Sequence, residues 1–162
     1  MIILGFDLST KYIGFAVTDE DGQRVDSGEV KLEGRSFEDR LKNAIVRLDI
    51  EVGNYDQSGY VAVEAPFVGP NGQTSLQLGK LGGALYSITY QLTGHFPIEV
   101  TPSEIKRAMT GNGQAGKALM MQLARARYAL ESVGEHEADA LAVCLAATIK
   151  LQQRHILDAV GS

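Results

Sequence analysis

The chain has 162 residues, of which 44% are hydrophobic and 22% are charged, and its formal net charge is -5. These values are ordinary for one globular domain with a sizeable core, and they exclude a strongly basic nucleic-acid binder. No apolar run approaches the ~20 residues of a membrane-spanning helix. A single cysteine, Cys144, excludes an internal disulfide, and the first residues lack the basic leader of a signal peptide, so the expected compartment is the cytoplasm.

Charge is distributed unevenly along the chain. Residues 1–67 carry 13 acidic and 7 basic side chains, whereas residues 101–127 hold five lysines and arginines against the single acid Glu104. A local basic face can meet phosphate even when the whole chain is acidic. Bound metal ions would also neutralise part of the acidic excess. A phosphate-containing ligand is therefore compatible with this composition.

The first half of the chain predicts four strands and one helix. Apolar residues at alternate or consecutive positions mark strands at 1–7, 12–19, about 23–32 and 60–65. An Asp-Gly turn separates the second strand from the third, so the first three strands are expected to be antiparallel. A helical pattern follows Ser36, a suitable N-cap with Asp39 at the capping-box position.

The second half is predicted to be mainly helical. Helices are expected at about 74–92, 103–109, 115–130 and 136–153, with a short strand at 98–100. The first of these helices contains Gly79, Gly82 and Gly83, which lower helix propensity. Small residues on one helix face allow a second helix to approach, so a packing role is the simplest interpretation.

This order of elements predicts an α/β three-layer sandwich, with a mixed five-stranded sheet flanked by helices. The order is typical of the RNase H-like fold. Residues 1–155 are expected to form a single domain of that fold, followed by a C-terminal tail at 156–162. In such a fold the first and fourth strands are neighbours, and the last helix packs across their ends.

Four candidate metal ligands fall where those elements would meet. Asp7 and Glu64 end two apolar strands, and a buried carboxylate is costly unless a cation or hydrogen-bond donors compensate it. His136 and Asp139 lie one helical turn apart on one face of the last helix. Hydrolysis of a phosphodiester by two Mg²⁺ ions ~3.5–4 Å apart needs oxygen ligands of this kind. Asp7 would bridge the ions, Glu64 and Asp139 would flank them, and His136 would bind a metal or orient the attacking water.

Each residue alone has a simpler explanation. Asp7 could form a turn, Asp139 could complement the helix dipole, and a lone His136 is more often solvated than a ligand. Glu64 is harder to explain in this way, because acids seldom end a buried strand without a partner. Taken together, the four residues favour a metal site. Glu135 and Glu137 flank it and are interpreted as solvated charges at the helix start.

Four motifs carry these candidates in order along nearly the whole chain. They are Ile-Leu-Gly-Phe-Asp ending at Asp7, Val-Glu-Ala-Pro-Phe around Glu64, Thr-Gly-Asn-Gly-Gln-Ala-Gly-Lys at 110–117, and His-Glu-Ala-Asp-Ala-Leu-Ala from His136. Together they resemble the RuvC family of Holliday junction resolvases. The resemblance implies a crossover junction endodeoxyribonuclease that acts as a homodimer in DNA recombination and repair. It would cut two opposed strands of a four-way junction with Mg²⁺ or Mn²⁺, two ions per active site.

The same resemblance assigns roles to individual residues. It makes Asp7, Glu64 and Asp139 the catalytic acids, with His136 at a position that is usually aspartate in the family. It places Phe67 as an aromatic that stacks at the junction core, Lys106 and Lys117 near the scissile phosphate, and Asn112 in the DNA-binding loop. Lys117 also suits this role physically, because a lysine early in a helix after a glycine-rich loop can meet phosphate together with backbone N–H groups.

Two further expectations concern partners, and a third concerns the origin and location of the chain. The glycine-bearing helix at 74–92 is a natural two-fold contact that would place two active sites on a symmetric junction. A branch-migration helicase partner is left unidentified. The sequence Leu-Ser-Thr after Asp7, where bacterial resolvases typically have Pro-Gly-Ser, resembles divergent phage- and virus-type members, which leaves strict selectivity for four-way junctions open and suggests a phage-encoded member. The expected cytoplasmic location is in association with the nucleoid.

Three alternatives stay open at this stage. One is a broader nuclease of the same fold that cuts flaps and other branched DNA. Another is an ATP-binding phosphotransferase of the sugar-kinase or actin type, because Gly-Phe-Asp-Leu-Ser-Thr and the following hairpin also resemble that phosphate loop. The third is a junction-binding module without catalytic activity, in which His136 does not act as a ligand.

Overall fold

A mixed five-stranded sheet forms the centre of the protein, with strand order β3-β2-β1-β4-β5. The strands are β1 (Ile2–Leu8), β2 (Tyr12–Thr18), β3 (Arg24–Lys31), β4 (Gly59–Glu64) and β5 (Ile98–Val100). β1, β2 and β3 form an antiparallel meander, whereas β4 and β5 run parallel to β1. The computed structural model describes residues 1–55, 59–66 and 68–160.

Five helices cover the two faces of this sheet. They are α1 (Phe37–Tyr55), α2 (Gly72–Thr93), α3 (Pro102–Thr110), α4 (Lys117–Arg127) and α5 (Glu135–Val160). Side chains of a strand alternate between faces. Leu4 and Phe6 therefore pack with α1 and α2, while Ile3 and Ala62 pack with α3, α4 and α5. The predicted three-layer α/β sandwich is confirmed.

Local capping explains where two of the helices begin. Ser36 Oγ accepts from the Asp39 amide at 3.1 Å, and Asp39 Oδ2 accepts from the Ser36 amide at 3.2 Å. Thr101 and Glu104 make the same reciprocal pair at the start of α3, with Pro102 at its first position. Such boxes satisfy amide groups that have no partner within the helix. The first of these capping boxes was expected from the sequence.

Helix ends differ from the prediction in two places. α5 runs to Val160, so the segment 156–160 of the expected tail continues the helix. No glycine or proline interrupts the sequence before Gly161, and the residues at 152–159 are exposed, so the helix can extend beyond the domain core. α4 is shorter than the expected 115–130, because Gly116 is its N-cap and the backbone at Ala129 has a positive φ of 51°.

The glycines of α2 do not pack against another helix of the chain. The buried residues of α2 are Leu81, Leu85, Ile88 and Thr89, whereas a Cβ added at Gly79, Gly82 or Gly83 would meet no described atom within 4 Å. Among the described residues nothing packs against these glycines, and the two-fold contact expected for this helix stays a prediction. Within the described residues, no helix is both long and apolar enough to cross a membrane.

Candidate active site

Asp7 and Glu64 lie side by side at one end of the sheet. β1 and β4 are parallel neighbours, with Phe6 opposite Val63, so the next residue of each strand reaches the same edge. Strand alternation places both acids on the face covered by α5, the face that also holds Ile3 and Ala62. The predicted neighbourhood of these two acids is confirmed.

Glycines in the sheet let α5 come unusually close to these acids. A Cβ at Gly5 would lie 2.7 Å from Cys144 Sγ and 2.8 Å from the Ala140 carbonyl oxygen, and a Cβ at Gly14 would overlap the carbonyl group of His136. Gly14 is also the cross-strand partner of Asp7. The helix start therefore rests on the row of the sheet that carries Asp7. Cys144 is buried under this contact, as expected for a structural thiol.

This approach brings His136 into direct contact with Asp7. His136 Nδ1 lies 2.6 Å from Asp7 Oδ2, and the two side chains are only 22% and 15% exposed. The hydrogen bond to Asp7 raises the pKa of His136, against an opposing effect of burial. Tyr12 of β2 stacks on the imidazole, with ring centres 5.2 Å apart and an interplanar angle of 18°.

The remaining two acids are held in an environment that disfavours their charge. Burial is the main cause of the raised pKa of Glu64; the nearby charge of Asp7 adds to it and Lys106 opposes it. Burial, followed by the charge of Asp7, raises the pKa of Asp139 from 3.8 to about 6, with Lys117 as the opposing cation. Carboxylates that repel one another in a partly buried place are stabilised when a cation binds between them.

The donor chemistry of the cluster fits a divalent cation. Carboxylate oxygens are the ligands that Mg²⁺ prefers, and Mg²⁺ commonly takes only one or two of them while keeping waters and binding substrate phosphate. Among the described residues, no three His, Cys, Asp or Glu side chains converge closely enough to form a complete ligand set. An open site of the kind that Mg²⁺ commonly uses needs only one or two of these carboxylates, with waters and substrate phosphate as further ligands.

A pocket of about 330 Å³ adjoins the acids and is bordered by β4, α3, α4 and α5. Glu64 and Asp139 line it, and so do Lys106 and Lys117, which puts both predicted lysines beside the acidic cluster. Lys117 is the first residue of α4 and is 73% exposed. Cations and helix-end amide groups at the rim of an acidic pocket suit a phosphate group that bridges metal and protein.

The two glutamates beside His136 are partly exposed, and each has a partner that the sequence did not indicate. Glu135 forms an ion pair with Lys117, and this contact is the main reason that the pKa of Lys117 is raised. Glu137 Oε1 accepts a hydrogen bond from Ser27 Oγ at 2.6 Å. The packing of α5 against α4 and β3 supplies these partners from far away in the sequence, while the Glu135 side chain stays 44% exposed.

The DNA contacts predicted for Asn112 and Phe67 stay predictions. Asn112 is exposed in the turn between α3 and α4, where its Oδ1 accepts from the Gln114 amide at 3.0 Å. This bond shapes the loop, and a DNA contact by Asn112 stays a prediction. Phe67 lies outside the described residues, so its stacking role also stays a prediction.

Sequence reasoning missed three residues that surround His136: Tyr12, Gly14 and Glu29. An isolated glycine within a strand often marks a close backbone approach, so Gly14 carried a usable signal. Tyr12 and Glu29 carried none, because their contacts with His136 cross more than 100 positions of sequence.

Comparison with known proteins agrees with this architecture. The family model described as crossover junction endodeoxyribonuclease RuvC matches residues 3–147. The protein of that name from Citrifermentans bemidjiense is 33% identical over 151 residues, covering 90% of each chain. The one from Delftia acidovorans is 35% identical over 153 residues, covering 90% of this chain and 82% of that protein.

Solved structures show the same fold. Thermus thermophilus RuvC aligns with a TM-score of 0.77 at 22% identity, covering 94% of this chain and 97% of the other. The same protein in complex with a Holliday junction substrate aligns with a TM-score of 0.78 at 22% identity, covering 94% and 96%. These alignments confirm the RNase H-like fold class. The chain belongs to the RuvC family of crossover junction endodeoxyribonucleases.

Proposed function

We propose that this chain is a metal-dependent, structure-selective DNA endonuclease that resolves four-way junctions by symmetric phosphodiester hydrolysis in recombination and repair. One observation carries the proposal: His136 contacts Asp7, burial and the charge of Asp7 raise the pKa of Glu64 and Asp139, and these two acids line a pocket together with two lysines. The curated relatives bear the name of this activity, and the solved Thermus thermophilus complex contains a Holliday junction. Family membership also favours the nuclease over the ATP-binding phosphotransferase.

The residues present divide the work of such a reaction. Asp7, Glu64 and Asp139 would hold Mg²⁺ or Mn²⁺, two ions per active site, with His136 as a fourth ligand or as the group that orients water. The bound ions would supply Lewis acidity and an activated water. Lys117 and Lys106 would bind the phosphate at the rim of the pocket. His136 contacts Asp7 Oδ2 and so restricts rotation of that carboxylate.

A homodimer would supply the second active site that a symmetric cut needs. The open side of α2 supports this part of the proposal. Its glycines face no described atom, and two large residues of the same helix, Leu76 and Tyr90, are 72% and 54% exposed. Exposed apolar residues beside small ones allow close contact between two copies of the helix. Molar mass measured by light scattering would test this state directly.

A side-by-side cleavage assay tests the proposed function. Junction, flap, duplex and single-stranded DNA would each be incubated with Mg²⁺, Mn²⁺ or a chelator, with Asp7→Asn as the inactive control. We expect paired nicks in the junction only when metal is present, and junction binding without cutting by the variant. Equal cutting of flaps would favour a broader branched-DNA nuclease. Junction binding with no cutting under either metal would favour a binding module and contradict the proposal.

A further inference from the structure

Two residues that are not predicted metal ligands, Tyr12 and Glu29, hold His136 from two sides. The Tyr12 ring lies against its imidazole, and Glu29 Oε2 accepts hydrogen bonds from the backbone amide groups of His136 and Glu137, at 3.1 and 3.4 Å. The third contact, with Asp7, fixes the end of the imidazole. Tyr12 thus sets the plane of the imidazole ring, Glu29 sets the position of the helix start, and Asp7 sets the position of Nδ1.

The register of three strands explains why these groups converge. Gly14 of β2 pairs with Asp7 of β1 on one side and with Glu29 of β3 on the other. One row across the sheet therefore reads acid, glycine, acid. The glycine leaves room for the first turn of α5, as the overlap of a Cβ with the His136 carbonyl shows. The two acids flank that turn, where one meets the imidazole and the other meets the helix amide groups.

Hydrogen bonds in the turn between β1 and β2 hold the backbone of Tyr12 in place. Ser9 Oγ accepts from the Tyr12 amide at 2.9 Å and donates to the Tyr12 carbonyl at 3.0 Å, and the Ser9 amide donates to the same carbonyl at 2.9 Å. This turn belongs to the Leu-Ser-Thr segment that follows Asp7. Tyr12 is partly exposed and, among the described residues, it is not a member of either core cluster. Packing of the core therefore does not account for its position.

A carboxylate at the beginning of a helix offsets the positive end of the helix dipole and satisfies amide groups that have no partner within the helix. Glu29 plays this part from β3, so it links the start of α5 to the sheet. A Cβ at Gly134 would overlap the Glu29 carboxylate, which shows how closely the two segments approach. The position of the His136 backbone therefore depends on Glu29.

We propose that Tyr12 and Glu29 are positioning residues for His136. Tyr12 sets the plane of the imidazole by stacking, and Glu29 sets the height of the first turn of α5 above the sheet. Together they keep Nδ1 against Asp7 and limit the freedom of the other ring nitrogen. This inference rests on the proposed nuclease function, because it assigns a use to the orientation of His136 in that site.

Three variants and two matched controls test the inference in the full-length protein. Tyr12→Leu removes the ring and Tyr12→Phe keeps it, while Tyr60→Leu removes a tyrosine from the far end of β4. Glu29→Gln is nearly isosteric and weakens acceptance from the amide groups, and Glu33→Gln is its exposed control. Partners that orient a metal ligand typically contribute about 10–100-fold to activity or metal affinity.

We expect Tyr12→Leu and Glu29→Gln to cut junctions about 10–100-fold more slowly at saturating DNA and to bind Mn²⁺ more weakly in the absence of DNA, with junction affinity changed less than about twofold. Tyr12→Phe and both controls should match the wild type. Should Tyr12→Leu fail to fold, Glu29→Gln answers the question independently. Equal cutting by wild type, Tyr12→Leu and Glu29→Gln would overturn the proposal, and so would a Tyr12→Phe protein as slow as Tyr12→Leu.

A readout without catalysis separates this inference from the proposed function. The ¹H–¹³C resonances of the His136 imidazole report ring stacking in the protein without metal or DNA. We expect them to shift in Tyr12→Leu and to stay near the wild-type positions in Tyr12→Phe. Unchanged resonances in Tyr12→Leu would refute the positioning role. A wild-type protein that cuts no branched DNA would instead refute the proposed function.

Discussion

The first turn of α5, residues 135–139, differs in kind from the segment 140–148 of the same helix. Every residue of the second segment is buried, and most are alanine or another small apolar residue that packs close to β1 and β2. The first turn instead carries an ion-paired glutamate, an imidazole bonded to Asp7, and an acid whose pKa is about 6. The buried segment holds the helix in place, so the polar turn keeps a fixed position despite unfavourable charge interactions. Function and stability are thus separated along one helix.

Breaking the close contact between helix and sheet should have the largest effect. Gly14→Ala places a Cβ against the His136 carbonyl group, so α5 must move away from the sheet. We expect cleavage to fall more than about a hundredfold, because small displacements of reacting groups have effects of this size. The free energy of unfolding should fall by about 2 kcal/mol, as for other overpacked positions.

The control for that substitution is Gly53→Ala in α1. A Cβ at Gly53 would meet no described atom within 4 Å, so the substitution should stabilise the helix by about 0.5–1 kcal/mol. Thermal unfolding and junction cleavage of both variants test the difference. Wild-type activity in Gly14→Ala would show that the close approach is unnecessary.

Removing the cation beside the polar turn should have the next largest effect. Lys117→Ala takes an ammonium group from the pocket that Glu64 and Asp139 line, so cleavage should slow by about 10–100-fold. Loss of one phosphate contact should also reduce the salt dependence of junction binding by about one unit of slope. Lys42→Ala, an exposed lysine of α1, is the control. An unchanged rate together with an unchanged salt slope would exclude a phosphate contact by Lys117.

Much of this arrangement was predictable from local sequence and topology. Strand alternation, the Asp-Gly hairpin and the Ser36 capping box depend on neighbours within a few residues, and all three were correct. The meeting of Asp7 and Glu64 followed from strand order alone. The ion pair of Lys117 with Glu135 was not predictable, because it depends on how two helices pack. The contacts of Tyr12 and Glu29 depend on the register of three strands, which composition and periodicity do not specify.

Neutralising one acid of the polar turn should stabilise the metal-free protein. The folded-state pKa of Asp139 is about 6, above its value of 3.8 in an unfolded chain, so the native state binds the proton more tightly. The contribution of Asp139 to the free energy of unfolding is therefore largest below about pH 4 and is lost as pH rises through about 6. The Asp139→Asn side chain does not ionise. Its free energy of unfolding should therefore exceed that of the wild type by about 1 kcal/mol at pH 7.5, after allowance for partial exposure.

Chemical unfolding at several pH values measures this effect. The difference between Asp139→Asn and wild type should be small near pH 4, where the carboxyl group is protonated in the folded state and partly protonated in the unfolded state. Asp49→Asn, at an exposed position of α1, is the control substitution. A destabilised Asp139→Asn protein at pH 7.5 would contradict the view that the charge of this acid is unfavourable without metal.

The smallest expected effect concerns the ion pair at the edge of the pocket. Glu135→Gln removes the carboxylate that holds Lys117, so a DNA phosphate no longer competes with it. We expect junction affinity to rise about twofold at low salt and the gain to fade at high salt, as for other exposed charges. Glu131→Gln, exposed and lying before α5, serves as the control. Weaker binding by Glu135→Gln would mean that Glu135 positions Lys117 instead of competing for it.

The central claim is that the acids beside the first turn of α5 form a divalent metal site. Thermal unfolding of wild-type protein and Asp7→Asn, titrated with Mg²⁺ and Mn²⁺ at pH 7.5 without DNA, tests it most directly. A ligand that binds only the folded state raises stability in a saturable way set by its affinity. We predict a saturable increase in melting temperature for the wild type and little or none for Asp7→Asn. An equal increase in both proteins, or none in the wild type at any metal concentration, would contradict the claim.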